Sequence, residues 1–172
     1  KRQRLFQRWK MLLPTLLQPY MELMCTTNSL RDVCGLNLEP ERCKCCQNAR
    51  ELTVKVVRFD KYESIRLWAS GCRPAAVQLI GSGLFPCAPV YPSLAVDVRM
   101  LDFVTRLFLR ISPNHTAWCS TVEDFLRCQG YRLEGKDPLR RRFGNTLQWF
   151  NSLQASCETY ISGLLNDARQ VL

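Results

Sequence analysis

The chain is poor in histidine, with a single imidazole, His115, among 172 residues. Serine and cysteine nucleophiles usually depend on an imidazole base, so such chemistry would have to use this one side chain. It lies in Ser112-Pro113-Asn114-His115, a sequence typical of a surface loop, with no catalytic motif around it. No carboxylate constellation with a metal-binding pattern occurs either. We therefore expect no catalysis within this chain.

Long apolar runs are also lacking. No run of about eighteen apolar residues occurs, so the sequence predicts no membrane span. The first residues, Lys1-Arg2-Gln3-Arg4, contain no methionine, and neither an apolar signal region nor a small-residue cleavage pattern follows them. We interpret the chain as a piece of a longer polypeptide.

Acidic side chains are scarce relative to basic ones, at 15 against 24, which gives a net charge of +9. A surplus of this size favours nucleic acid or another polyanion as partner. The alternative is a solvated basic face that only aids solubility. The side chains that we expect to contact DNA phosphates are Arg4, Arg8, Lys136, Arg140, Arg141 and Arg142, together with the rest of the basic N-terminal arm, Lys1, Arg2 and Lys10.

The second basic cluster coincides with a predicted helix start. Asp137 and Pro138 supply an N-cap carboxylate and a proline at the first helical position. Three arginines (140–142) then fall in the first turn, where the helix macrodipole disfavours cations by roughly 0.3–1 kcal/mol each. A bound phosphate would relieve this arrangement. The alternative is a screened surface cluster with an acidic partner such as Glu134 or Glu123.

Residues 1–42 are predicted to form a basic, amphipathic helical arm followed by a loop. Leucines recur at helical spacing, with the basic residues mostly on other faces. Pro14 and Pro19 are expected to kink or divide the helix, because each removes a backbone hydrogen bond. Residues 28–42 show no periodicity and contain turn-forming residues, which predicts a connecting loop.

Residues 52–68 predict a β-hairpin. Apolar and β-branched residues alternate over 52–59 and recur over 64–68, with a polar turn at 60–63 between them. The segments that flank such a hairpin meet at its open end, where converging thiolates are typical of zinc ribbons. The candidate zinc ligands are Cys43, Cys45, Cys46, Cys72 and Cys87.

The ten cysteines also allow a second interpretation, a secreted disulfide framework. The even count and the glycosylation-type sequence Asn114-His115-Thr116 favour it. The apolar content, the absence of a signal segment and a cysteine share below the roughly 8–10% of disulfide scaffolds favour reduced thiols in an intracellular setting. We therefore expect reduced thiols in an intracellular setting.

Beyond the hairpin, helical periodicity predicts helices at about 74–81, 94–111, 120–129 and 138–170. Ser120 and Glu123 form the pattern of a capping box at the start of the third. The proline-rich stretch 84–89 is expected to be an apolar connector. Together these elements predict an α+β fold, a mainly α-helical domain with a small zinc-ribbon-like β-hairpin, whose cysteine-cluster domain covers residues 43–172.

Several motifs give the chain a family resemblance. In order along the chain, they are Gly83-Leu-Phe-Pro-Cys-Ala-Pro89, Ser93-Leu-Ala-Val-Asp97, Pro113-Asn with Thr116-Ala-Trp-Cys119, and Leu139-Arg-Arg-Arg-Phe-Gly-Asn145. With them, residues 43–153 resemble the cysteine-cluster domain that precedes the catalytic domain in fungal KDZ (Kyakuja-Dileera-Zisupton) transposases.

The resemblance implies a zinc-chelating, DNA-binding accessory module that acts in the nucleus. The catalytic residues of such a transposase would lie outside this chain, in the same polypeptide. One position departs from the family, which shows a Cys-x-Cys pair after the hairpin where this chain has Ser70-Gly71-Cys72. With Cys43, Cys45 and Cys72 as ligands, the fourth zinc ligand would then have to be Cys87 or Cys46.

The sequence and the resemblance thus favour non-catalytic, zinc-dependent DNA binding within a transposase. The alternative is a protein-interaction or oligomerisation module with a degenerate metal site. In that case the apolar stripe of the helix at 138–170 continues as an intermolecular seam, and a second copy of the chain is one partner.

Metal analysis tests the cysteine cluster. We expect about one zinc ion per chain in protein purified without chelator, and loss of both zinc and folding in Cys72→Ser, because metal binding and folding are coupled. The measurements are metal content per chain and a thiol titration of the unfolded protein. Free thiols without zinc would indicate a degenerate cluster, and paired cysteines without zinc would contradict the intracellular setting.

Overall fold

The computed structural model describes residues 2–33, 48–134 and 138–170. These ranges form five helices and one four-stranded mixed sheet, which confirms the predicted α+β, mainly helical fold. Within them, no helix combines the length and the apolarity needed to cross a membrane. The elements are α1 (Arg2–Thr26), β1 (Arg50–Val57), β2 (Tyr62–Ala69), α2 (Ala75–Gly81), β3 (Leu84–Pro86), β4 (Leu94–Asp97), α3 (Val98–Phe108), α4 (His115–Cys128) and α5 (Arg140–Gln170).

The predicted hairpin is present and belongs to a larger sheet. Strands β1 and β2 pair antiparallel from Arg50 with Ala69 to Val57 with Tyr62. The turn lies at 58–61, two residues earlier than predicted, and the Arg58 N–H donates to the Lys61 carbonyl across it at 2.9 Å. Strand β4 pairs parallel to β1, and β3 pairs antiparallel to β4, so the order is β2-β1-β4-β3. The hairpin is therefore stabilised by neighbouring strands on one side.

Two segments predicted as helix and connector are strands. The helix expected over 94–111 begins only at Val98, since the buried Asp97 side chain accepts the Arg99 N–H at 2.8 Å and caps α3 there. The four residues before it form β4, all of them buried. Residues 84–86, expected in a connector, form the edge strand β3, a position where Pro86 is tolerated.

The predicted start of the helix at 120–129 is also wrong. Helix α4 begins at His115 rather than near Ser120, because the Asn114 side chain accepts the Ala117 N–H at 2.9 Å. Glu123 does not close a capping box. Its carboxylate is buried and accepts the backbone N–H of Leu139 at 3.1 Å, which ties α4 to the turn before α5.

Helix α1 runs without interruption through Pro14 and Pro19, so the prolines do not divide it. An interior proline disfavours a helix by about 3 kcal/mol. The buried face of α1, formed by residues such as Leu16 and Leu23, offsets this penalty by removing apolar surface from water. Tertiary packing has therefore overridden the local preference.

The main core is organised around stacked aromatic rings. The fully buried Trp9 of α1 lies between Phe85 of β3 and Trp149 of α5, with ring centroids 5.7 and 5.5 Å apart and planes within 6° and 15° of parallel. Phe150 meets Phe85 edge-on at 5.7 Å. Three elements that are distant in sequence are thus joined at one point. Residues between the sheet and α2, among them Leu52, Val54 and Leu79, form a second, smaller cluster.

Truncation of Trp9 tests the importance of this stack. We expect Trp9→Ala to lower the free energy of unfolding by about 3–5 kcal/mol, because it removes the ring that joins three elements and leaves a cavity. Met11→Ala, on the exposed side of the same helix, should change it by less than about 0.5 kcal/mol. Urea unfolding followed by tryptophan fluorescence and circular dichroism measures both. Similar effects of the two substitutions would contradict a core centred on Trp9.

Candidate nucleic-acid interface

The start of α1, which carries one predicted basic cluster, lies against the first third of α5, which carries the other. Near their starts, Phe6 contacts Trp149 with ring centroids 5.4 Å apart. Further along, Tyr20 accepts a hydrogen bond from the Gln154 amide at 3.3 Å. The first turns of the two helices lie close together, although 139 positions separate Arg2 from Arg141 in the sequence.

A cavity of about 600 Å³ lies between these first turns. Arg2 from α1 and Arg141 from α5 line it, and the described residues around it include no carboxylate. Side-chain amides supply further hydrogen-bond donors there, namely Gln3, Gln7, Asn145 and Gln148. Guanidinium and amide donors without acidic neighbours favour an anionic, oxygen-rich ligand.

Trp9 also borders this cavity. Its indole N–H is buried and has no hydrogen-bond partner within the described part of the chain. A buried donor without an acceptor is unfavourable by about 1–3 kcal/mol. An oxygen ligand that reached this group would remove that penalty.

The basic surface continues along α1. A second cavity, of about 520 Å³, is lined by Arg2, Arg4, Leu5 and Arg8, so the two cavities share Arg2 and Leu5. We call Arg2, Arg4, Arg8 and Arg141 the α1–α5 basic surface. It joins the N-terminal arm to one of the three predicted arginines of α5.

Two of the three predicted arginines of α5 contact other parts of the fold. Lys10 of the N-terminal arm lies over the Phe6 ring, 4.9 Å from its centroid, and Lys1 lies outside the described residues. Arg142 donates to the Ser93 hydroxyl at 2.9 Å, on the side of the sheet. Burial raises the pKa of the Cys119 thiol to about 12, and the nearby positive charge of Arg140 lowers it in part. Lys136 lies outside the described residues, as does the expected N-cap, Asp137. Successive helical residues diverge by about 100°, which explains why a run of three arginines does not share one face.

Three of the five candidate zinc ligands, Cys43, Cys45 and Cys46, lie outside the described residues. Cys72 is exposed at the open end of the hairpin, with its sulfur 3.3 Å from the Ser70 hydroxyl. Cys87 is partly buried, and its backbone N–H donates to the Leu94 carbonyl at 2.9 Å. The described residues contain no group of three or more His, Cys, Asp or Glu side chains suited to a metal ion.

The sheet register separates Cys87 from Cys72. Cys87 lies at the level of Leu94, which pairs with Lys55, whereas Cys72 lies beyond Arg50 at the other end of β1. Five residues of strand span about 16 Å, while ligands of one zinc ion lie about 2.3 Å from it. Burial also raises the pKa of the Cys87 thiol to about 11, although a hydrogen bond with Thr146 lowers it in part. In the described fold, Cys72 and Cys87 are therefore too far apart to bind one zinc ion together.

Comparisons of the chain with protein-family models, with curated proteins and with solved structures gave no match. The resemblance to KDZ transposases therefore stays a hypothesis. The amide side chains around the cavity were missed in the sequence, although Gln3 and Gln7, and Asn145 and Gln148, have the spacing of neighbours on a helix face.

Thiol reactivity tests the placement of Cys87. In the native chain with chelator present, iodoacetamide should modify the exposed Cys72 much faster than Cys87, whose raised pKa keeps it neutral and unreactive at pH 8. The rate at Cys87 should rise about tenfold per pH unit below its pKa. Peptide mass spectrometry between pH 7 and 9 measures both, with the exposed Cys25 as a control. Equal rates at Cys72 and Cys87 would contradict this placement.

Proposed function

We propose that the chain is a non-catalytic DNA-binding module whose α1–α5 basic surface binds backbone phosphates. One observation carries the proposal: guanidinium groups from two helices, distant in sequence, converge on adjoining cavities around which no described residue is acidic. Guanidinium groups suit phosphate because they donate two parallel hydrogen bonds to its oxygens and keep their charge at all relevant pH values.

Such contacts would fix the position of DNA without reading its sequence, since phosphates are the same at every base pair. Affinity would come largely from the release of counterions and would fall steeply as salt rises. The amide groups of Asn145 and Gln148 would add neutral hydrogen bonds to the same phosphates. The proposal therefore predicts strong salt dependence and weak base specificity.

In the same proposal, zinc is a structural clamp. Cys72 and the cysteines at 43, 45 and 46 would hold the ion at the open end of the hairpin. A metal ion there would join the segment before β1 to the segment after β2. The module would serve a KDZ-type transposase in the nucleus, with the catalytic residues in another part of that polypeptide. The resemblance described above is the support for this assignment.

A second candidate function is self-association through the end of α5. Residues 158–169 of this helix are all exposed. Ile161, Leu164 and Leu165 share one face of it, and each is about half exposed. An apolar face of this kind favours a helix seam with a second copy. Salt separates the two functions, because an apolar seam persists or tightens as salt rises whereas phosphate contacts weaken.

Substitution of Arg141 tests DNA binding. We expect Arg141→Gln to weaken binding to a short duplex about tenfold, equally for unrelated sequences, and to reduce the slope of log affinity against log salt by about one. Arg169→Gln makes the same charge change on the same helix, about 42 Å further along at 1.5 Å per residue, and should leave the slope unchanged. Fluorescence anisotropy at several salt concentrations measures both.

Equal losses in the two variants would show attraction by net charge alone and contradict a binding surface at the start of α5. An affinity that does not fall with salt would contradict phosphate binding altogether and would favour the apolar seam.

A further inference from the structure

A third cavity, of about 460 Å³, adjoins the α1–α5 basic surface. It lies between α1, the open end of the hairpin and residues 89–91. Its walls are largely apolar, with Met11, Pro74 and Val90 among them, and its volume is in the range of small-molecule sites. Arg8 and Arg50 are its charged residues, and no carboxylate is present among the described residues that line it.

Tyr91 gives this cavity an aromatic surface. Its side chain lines the cavity and keeps 56% of its surface exposed. The Arg50 guanidinium lies over its ring, 4.8 Å from the centroid. This cation–π contact orients two flat groups together, and both guanidinium and phenol rings stack on nucleobases.

Arg8 connects this cavity to the α1–α5 basic surface. It lines both this cavity and the one formed by Arg2 and Arg4, so cationic side chains follow one another along α1 without an acidic residue among the described lining. A strand whose phosphates bind Arg4 and Arg8 would therefore pass the cavity that Tyr91 lines. An apolar peptide would leave the two arginines at the cavity without anionic partners.

We propose that this cavity holds an unpaired nucleobase of single-stranded DNA, stacked on Tyr91, while Arg8 and Arg50 bind the flanking phosphates. The inference rests on the proposed DNA-binding function and names the form of DNA that the chain prefers. Bases within a duplex are paired and stacked on each other, so only a single-stranded end or gap presents a free base to the cavity. The chain would therefore favour duplexes that carry an overhang.

Tyr91 variants test the proposal in the full chain. We expect a duplex with a single-stranded overhang to bind about tenfold more tightly than its blunt counterpart. Tyr91→Ala should abolish this difference, and Tyr91→Phe should retain it. The matched control is Tyr160→Ala, which removes a similarly exposed tyrosine (49%) from the far part of α5 and should change nothing. Anisotropy gives the affinities, and 2-aminopurine in the overhang should lose fluorescence on binding to every variant except Tyr91→Ala.

Three results would overturn the inference: no preference for the overhang, equal loss in Tyr91→Ala and Tyr160→Ala, or unquenched 2-aminopurine with the unmodified chain. If the proposed DNA-binding function itself were wrong, neither duplex would show salt-dependent binding. Salt-dependent binding that falls with Arg141→Gln and is equal for the two duplexes would remove the nucleobase site alone.

Discussion

The aromatic stack of Trp9, Phe85 and Trp149 is the contact on which the rest of the structure depends. It holds α1 against α5 near the starts of both helices. The arginines at these starts repel one another, which disfavours their close approach. Burial of large rings offsets that repulsion, since each removes well over 100 Å² of apolar surface from water. The core thus holds mutually repelling arginines close together, and a bound polyanion would reduce their repulsion.

Local patterns in the sequence were sufficient for much of the fold. Alternation identified the hairpin, and helical periodicity identified the stripe of α5, where Phe143, Phe150 and Leu153 are fully buried. Strand β4 could not be found in this way, because a run of four buried residues has no period that separates a strand from the start of a helix. Its conformation is fixed by pairing with β1, a contact across about forty residues. Packing likewise decided the unbroken course of α1.

The candidate site was predictable in its residue types and not in its arrangement. Charge alone indicated both basic clusters, but no local pattern shows that α1 and α5 begin side by side. The same holds for Arg50 and Tyr91, which the sequence separates and the open end of the hairpin brings together. Cys87 illustrates the reverse case. The parallel course of β4 beside β1 carries it away from Cys72, which cysteine spacing cannot reveal.

The central claim is that α1 and α5 form one phosphate-binding surface. The most direct measurement is the salt dependence of duplex affinity for Arg4→Gln, Arg141→Gln and the double variant. If both side chains contact the same DNA molecule, each single substitution lowers the slope of log affinity against log salt by about one, and the double substitution lowers it by about two. A double variant whose slope equals that of either single variant, or of the unmodified chain, would contradict a shared surface.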